Sequence, residues 1–101
     1  MDEMADIKSE IKGVVKKGRV VYGSRSVVSG LLNDNPKLII ISSNCPSENR
    51  EEIIYYSKLS NTPYESVDID SIELGSICGK PFPVSVMGVI DAGESNILNE
   101  V

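Results

Sequence analysis

Lys37-Leu38-Ile39-Ile40-Ile41-Ser42, K-L-I-I-I-S, is the stretch on which the fold turns. Successive side chains of a strand point to opposite faces. Four aliphatic residues in a row therefore leave no face for water. A strand of this kind has to be covered on both sides, so the pattern predicts a central strand sandwiched between helices.

The neighbouring segments supply the cover. Ile7, Ile11, Val14 and Val15 recur at helical spacing, which predicts a first amphipathic helix over roughly residues 3–16. Lys16 and Lys17 suit the negative end of its dipole, and Gly18 is a natural stop. Arg19 to Tyr22 is short and β-branched and reads as a strand. Gly23 and Ser24 turn the chain, with Ser24 expected as the N-cap of a second helix. Val27, Val28, Leu31 and Leu32 give that helix one apolar face, and N-D-N-P ends it.

After the central strand, Pro46 and Ser47 open a third helix, whose buried stripe is expected to be Ile53, Ile54, Tyr55, Tyr56 and Leu59. Asn61 closes it. Tyr64 to Val67 reads as a short strand, placed at an edge by Pro63. Asp68 to Ser71 caps a fourth helix containing Ile72, Leu74 and Ile77, which stops at Gly79. Val84 to Ile90 is the last strand, and Asp91 to Asn99 a turn and short terminal helix. Helices and strands alternate along the chain, which predicts one α/β domain over residues 1–101 with helices on both faces of a small sheet.

Composition narrows the function. No apolar run approaches the roughly 20 residues of a membrane span. The first ten residues, M-D-E-M-A-D-I-K-S-E, are acidic and lack the form of a signal peptide, which points to the cytoplasm. Two cysteines, Cys45 and Cys78, are too few for a disulfide framework. Histidine is absent, which excludes Cys-His and Ser-His catalysis and the commonest zinc ligand. A net charge of −5 argues against nonspecific nucleic-acid binding. The charge is uneven, however. Lys8, Lys12, Lys16, Lys17, Arg19 and Arg25 face four acids in residues 1–25, leaving four bases and eleven acids beyond.

Three connectors carry donors with few acids between them: Gly23 to Ser26, Asn44 to Arg50, and Ser71 to Pro83. Their inventory is Ser24, Arg25, Ser26, Asn44, Ser47, Asn49, Arg50 and Lys80. Helix starts at Ser24 and Ser47 add backbone N–H groups suited to phosphate. Phe82, the only Phe, stands between Pro81 and Pro83 and suits stacking or wedging. Each residue also has a plainer reading. Gly23 is a turn glycine, Arg25 a solvated charge, Asn44 a loop cap, and Phe82 a ring folded onto the core. Asp68, Asp70 and Glu73 could hold a hard cation, though capping explains them more simply. Cys45 precedes a helix start, where a thiol pKa can fall, so a small thiol enzyme is the rival class of function. Cys78 reads as core.

Taken together, the stretches V-V-Y-G-S-R-S (20–26), K-L-I-I-I-S-S-N-C-P (37–46), E-I-I-Y-Y-S-K-L-S-N-T-P (52–63), E-L-G-S-I-C-G-K-P-F-P-V (73–84) and V-I-D-A-G-E-S-N-I-L (89–98) are specific. The chain resembles the archaeal and eukaryotic L-thirty-e proteins of the large ribosomal subunit, within the kink-turn RNA-binding superfamily that includes L-seven-Ae. The resemblance covers nearly the whole length. It implies a three-layer α-β-α sandwich with a four-stranded mixed sheet, RNA binding through loops at one end, no enzymatic activity and no cofactor. It implies ribosomal RNA as partner, with other ribosomal proteins nearby and a monomer when free.

By the same resemblance, Gly23 and Arg25 approach a kinked RNA backbone, and the neighbouring donors Ser24 and Ser26 are expected to join them. Asn44 and a residue near the next helix start, Arg50 or Asn49, add contacts, and Gly79, Lys80, Pro81 and Phe82 pack on exposed bases. Ser71 stands where some relatives carry Asn. G-S-R-S replaces the N-E-x-x-K signature of the L-seven-Ae branch, which favours the ribosomal branch over other RNA–protein particles. The acidic balance fits a compact, shaped site rather than broad attraction. A protein-binding adaptor is a third class to be weighed.

Overall fold

Leu38–Ile41 form strand β2, and all four residues are buried in a computed structural model that describes residues 3–33 and 36–91. Around β2 the chain runs α1 (Glu3–Lys17), β1 (Arg19–Tyr22), α2 (Ser24–Asn33), β2, α3 (Ser47–Leu59), β3 (Tyr64–Ser66), α4 (Ser71–Ile77) and β4 (Val86–Asp91). The sheet order is β1-β4-β2-β3. β4 is antiparallel to both β1 and β2, whereas β3 is parallel to β2, so the sheet is mixed. β3 lies at an edge, where Pro63 adds no ladder donor, and the Pro63 carbonyl still accepts from Ile39 N–H at 3.0 Å.

The alternation in β2 sorts the core. Leu38 and Ile40 join Ile7, Ile11 and Val14 of α1, Leu74 and Cys78 of the α4 region, and Met87 and Val89 of β4. Ile39 and Ile41 join Val27 and Leu31 of α2, Ile53 of α3 and Val86. The three layers are therefore α1/α4, sheet, and α2/α3. Burying an Ile or Leu side chain contributes about 1.5–3 kcal/mol, so one four-residue strand anchors both interfaces.

The helix ends explain where each element stops. The Asp70 carboxylate accepts the Glu73 N–H at 2.8 Å and caps α4. Glu73 itself pairs with Lys8 of α1 at 2.7 Å. Asp70 and Glu73 are thus held by a helix cap and an ion pair. Gly79, at φ +72°, ends α4: its N–H bonds Ser76 C=O at 3.0 Å, and Lys80 N–H bonds Gly75 C=O at 2.9 Å. Asn61 closes α3 in the same left-handed manner at φ +57°.

Several expectations change. Ser24 is the first helical residue rather than the cap; Gly23 holds the cap position, and its carbonyl accepts Val27 N–H at 3.0 Å. Tyr55 and Leu59 lie on the outer side of α3, 61% and 66% exposed, so its inward side is Ile53 and Ser57, with Ile54 and Tyr56 half-buried. A run of apolar residues in one helix exceeds the width of one buried face. Ile72 is likewise exposed, on the outer side of α4. Val84 is buried but precedes the ladder, which starts at Val86, and Val67 follows β3. The expected terminal helix falls on residues 92–99, outside the described residues, as do Asp34 and Asn35 of N-D-N-P.

Replacing Ile40 with Ala should destabilise the fold by about 2–5 kcal/mol, read from urea unfolding. A loss well below that range would mean that β2 is not clamped from both sides. Asn44 holds two connectors together: its side-chain oxygen accepts from Ser71 N–H at 2.8 Å and from the Ser42 hydroxyl at 3.2 Å. Asn44→Ala should cost about 1–3 kcal/mol by leaving these donors unpaired. Asn44→Asp retains the acceptor and should lose less; equal losses would count against the bridge.

Candidate nucleic-acid interface

Strand direction decides where the three connectors meet. β1 and β2 both oppose β4, and β3 runs with β2, so β1, β2 and β3 are mutually parallel. The chain leaves all three at one end of the sheet and enters β4 at that same end. The segments after β1, after β2 and before β4 are then stitched together by backbone bonds. Gly23 N–H reaches Val86 C=O at 2.9 Å, Ser42 N–H reaches Ser85 C=O at 2.8 Å, and Ser43 N–H reaches Ile69 C=O at 2.9 Å.

Gly23 adopts φ +89°, and nothing lies within 4 Å of where its Cβ would stand. Glycine is required there by the backbone, and its outer side is open to a close approach. The first turn of α2 follows. Ser24, Arg25 and Ser26 have N–H groups outside the intrahelical ladder, since the first helical bond belongs to Val27. Arg25 and Ser26 are exposed and Ser24 is half-buried. A positive helix end, a guanidinium and two hydroxyls thus share one turn.

Asn44 ties the second connector to the start of α4. Because its oxygen accepts from Ser71 N–H, its NH₂ group is left as an outward donor on an exposed residue. The first turn of α3 offers the N–H groups of Ser47, Glu48 and Asn49, with Arg50 N–H the first to close back, onto Pro46 C=O at 2.9 Å. Asn49 and Arg50 are both half-buried. Arg50 lies near Cys45, but burial pushes the Cys45 thiol up, and the guanidinium only opposes that rise. A protonated thiol is a poor nucleophile, so the thiol-enzyme reading loses its basis.

The third connector carries the ring. Lys80 sits over the face of Tyr22, 4.8 Å from the centroid, which anchors its ammonium at the sheet end. Burial, with a smaller contribution from Cys78, raises the Tyr22 phenol to about 12, so the ring beneath the lysine stays neutral. Burial likewise raises Cys78 to about 11, despite Lys80 and Tyr22, and the thiol belongs to the core. Phe82 is 51% exposed and does not fold inward. Its backbone lies against α4, where a methyl added at Gly75 would overlap the Phe82 carbonyl oxygen. Pro81, Phe82 and Pro83 line a shallow cavity of about 340 Å³ with Ile72, Ser76 and Lys80.

All the expected residues, Gly23, Ser24, Arg25, Ser26, Asn44, Arg50, Gly79, Lys80, Pro81 and Phe82, therefore lie at one end of the sheet or just beside it. Sequence reasoning missed Tyr22, Ile72 and Ser76. Tyr22 was legible only as a strand residue, although its place two after Val20 put it on the α1/α4 face. Ile72 reads from the sequence only as part of the fourth helix; its i, i+4 relation to Ser76 is the signal that the two share a surface stripe.

The arrangement has relatives. Residues 5–99 match the profile of the "Ribosomal protein L7Ae/L30e/S12e/Gadd45 family". The chain is 46% identical over 94 residues to the large ribosomal subunit protein eL30 of Methanococcus vannielii, covering 93% of this chain and 90% of that protein. It is 38% identical to that of Sulfurisphaera tokodaii over 101 residues, 100% of this chain and 95% of the relative. Against that of Methanocaldococcus jannaschii identity is 39%, over 98% and 90% of the two chains. A solved protein of unknown function from Bacillus halodurans C shares the fold, with TM-score 0.74 at 24% identity over 91% of this chain and 92% of that one. On the family match and these near full-length identities, the chain belongs to the ribosomal protein L7Ae/L30e/S12e/Gadd45 family.

Proposed function

We propose that the protein is a non-enzymatic constituent of the large ribosomal subunit in the cytoplasm, and that it binds a kink-turn of ribosomal RNA through the loop end of its sheet. The observation that carries this reading is the convergence of three connectors on a half-exposed Phe82, with Lys80 pinned beside it. The names of its relatives, large ribosomal subunit proteins eL30, support the ribosomal assignment.

The chemistry suits an irregular RNA. A sharp kink splays bases out of the stack and crowds phosphates together. The N–H groups and Arg25 at the start of α2 fit crowded phosphates, and the open side of Gly23 lets the backbone come close. The outward NH₂ of Asn44 fits a base edge. Arg50, in the first turn of α3, supplies a second guanidinium. Pro81 and Pro83 hold the Phe82 ring without a long side chain to order, which suits stacking on a base. With a net charge of −5, affinity rests on this fitted end rather than on a general positive field. As a free protein it acts as a monomer.

The defining experiment compares binding of a kink-turn RNA and a straight duplex of equal length by gel shift. The kink-turn should bind far more tightly; equal affinity would sink the proposal. Phe82→Ala should weaken kink-turn binding by about 1–3 kcal/mol while the fold is retained. Unchanged affinity would remove the ring from the interface. Arg25→Ala should reduce the slope of log K against log[salt] by about 0.7–0.9, the value for one phosphate. An unaltered slope would take Arg25 off the RNA.

A further inference from the structure

Five large apolar side chains stand out of the described surface: Leu32, Tyr55, Leu59, Ile72 and Phe82. Ile72 and Phe82 border the cavity at the loop end. The other three lie on the opposite layer and toward the opposite end. α2 and α3 each connect parallel strands, so both start at the loop end and run away from it. Their C-termini come together at the far end, where the Ser60 hydroxyl donates to Leu31 C=O at 2.9 Å. Leu32 and Leu59 are the chain neighbours of that bonded pair. Tyr55 precedes Leu59 by one helical turn on the same stripe. The three are 59%, 61% and 66% exposed in chain order. Tyr55 is steadied edge-on against Tyr56, with centroids 5.2 Å apart.

The charge beside this patch says what it suits. Glu51 and Glu52 lie one turn before Tyr55, both exposed, while Lys58, next to Leu59, is the exposed base of α3. Carboxylates bordering the patch repel a phosphate backbone, so RNA is a poor occupant. A second copy brings the same Glu51 and Glu52 and a net charge of −5, which opposes self-association through this face. A protein segment that presents aliphatic side chains with Lys or Arg around them meets both features.

We propose that the Leu32–Tyr55–Leu59 face of α2 and α3 is a docking surface for a basic, aliphatic-rich protein segment, independent of the loop end. The chain then has two working ends, one fitted to RNA and one to protein. The test uses two synthetic amphipathic peptides, one of Leu and Lys at helical spacing and one with Glu in place of Lys. Each is titrated into the full chain while backbone amide shifts are recorded.

The Leu/Lys peptide should bind saturably and shift Leu32, Tyr55 and Leu59, whereas the Leu/Glu peptide should not. Tyr55→Lys and Leu59→Lys should each raise its Kd about tenfold or more. Both positions are exposed, so the variants keep the fold, and kink-turn affinity should be unchanged in them. The double change Glu51→Lys, Glu52→Lys should weaken binding and flatten its salt dependence. The proposal is overturned by absence of saturable binding, by equal binding of both peptides, or by shifts confined to the loop end. Displacement of the peptide by RNA, or dimerisation of the chain through this face, would also overturn it.

Discussion

Burial of both faces of β2 is the constraint on which the remaining structure depends. Leu38 and Ile40 point into the α1/α4 layer, and Ile39 and Ile41 into the α2/α3 layer. No antiparallel hairpin sheet with one wet face could accept that strand. Because β2 must be covered twice, the chain supplies helices between its strands, and helical crossovers make β1, β2 and β3 parallel. Only β4 runs the other way, inserted between β1 and β2.

The parallel arrangement produces the candidate site. Three strands that run the same way deliver their exits to one end, and β4 begins there. Residues far apart in sequence, Arg25, Asn44 and Lys80, are thereby brought to the same edge without direct bonds among them. The rigidity of that edge comes from backbone pairing and from three fixed points. Gly23 caps α2, Asn44 bridges to Ser71, and Gly79 closes α4 so that Lys80 can lie on Tyr22. Asn44 joins the site to the fold most directly, since one side of its amide holds the scaffold and the other faces outward.

In the proposed reading, the uneven charge reconciles an acidic protein with a polyanionic ligand. The helix starts present N–H groups and basic side chains at one end, whereas Glu48, Glu51 and Glu52 line the outer side of α3. Glu48 also shows the compromise: an acid in the first turn stabilises α3 through the dipole but stands close to the connector offered to RNA. In the proposed reading such a residue sharpens selectivity, because a ligand that does not fit meets repulsion.

Much was determined by the sequence alone. The aliphatic run at 38–41 implied a doubly covered strand, the helical spacing of Ile7, Ile11 and Val14 implied α1, and Pro63 implied an edge. The three connectors and their donors were legible because Gly, Pro and Asn are demanded by backbone geometry that a sequence reveals locally. The face on which an apolar residue ends was not. Tyr55 and Leu59 read as core, yet they are exposed, because a helix packs only one side against the sheet and neighbours absent from the local sequence decide which. Tyr22 as the seat for Lys80, and the far-end bond of Ser60 to Leu31, likewise required the tertiary structure. Those contacts span many residues, and only the crossing of helices over the parallel strands brings them together.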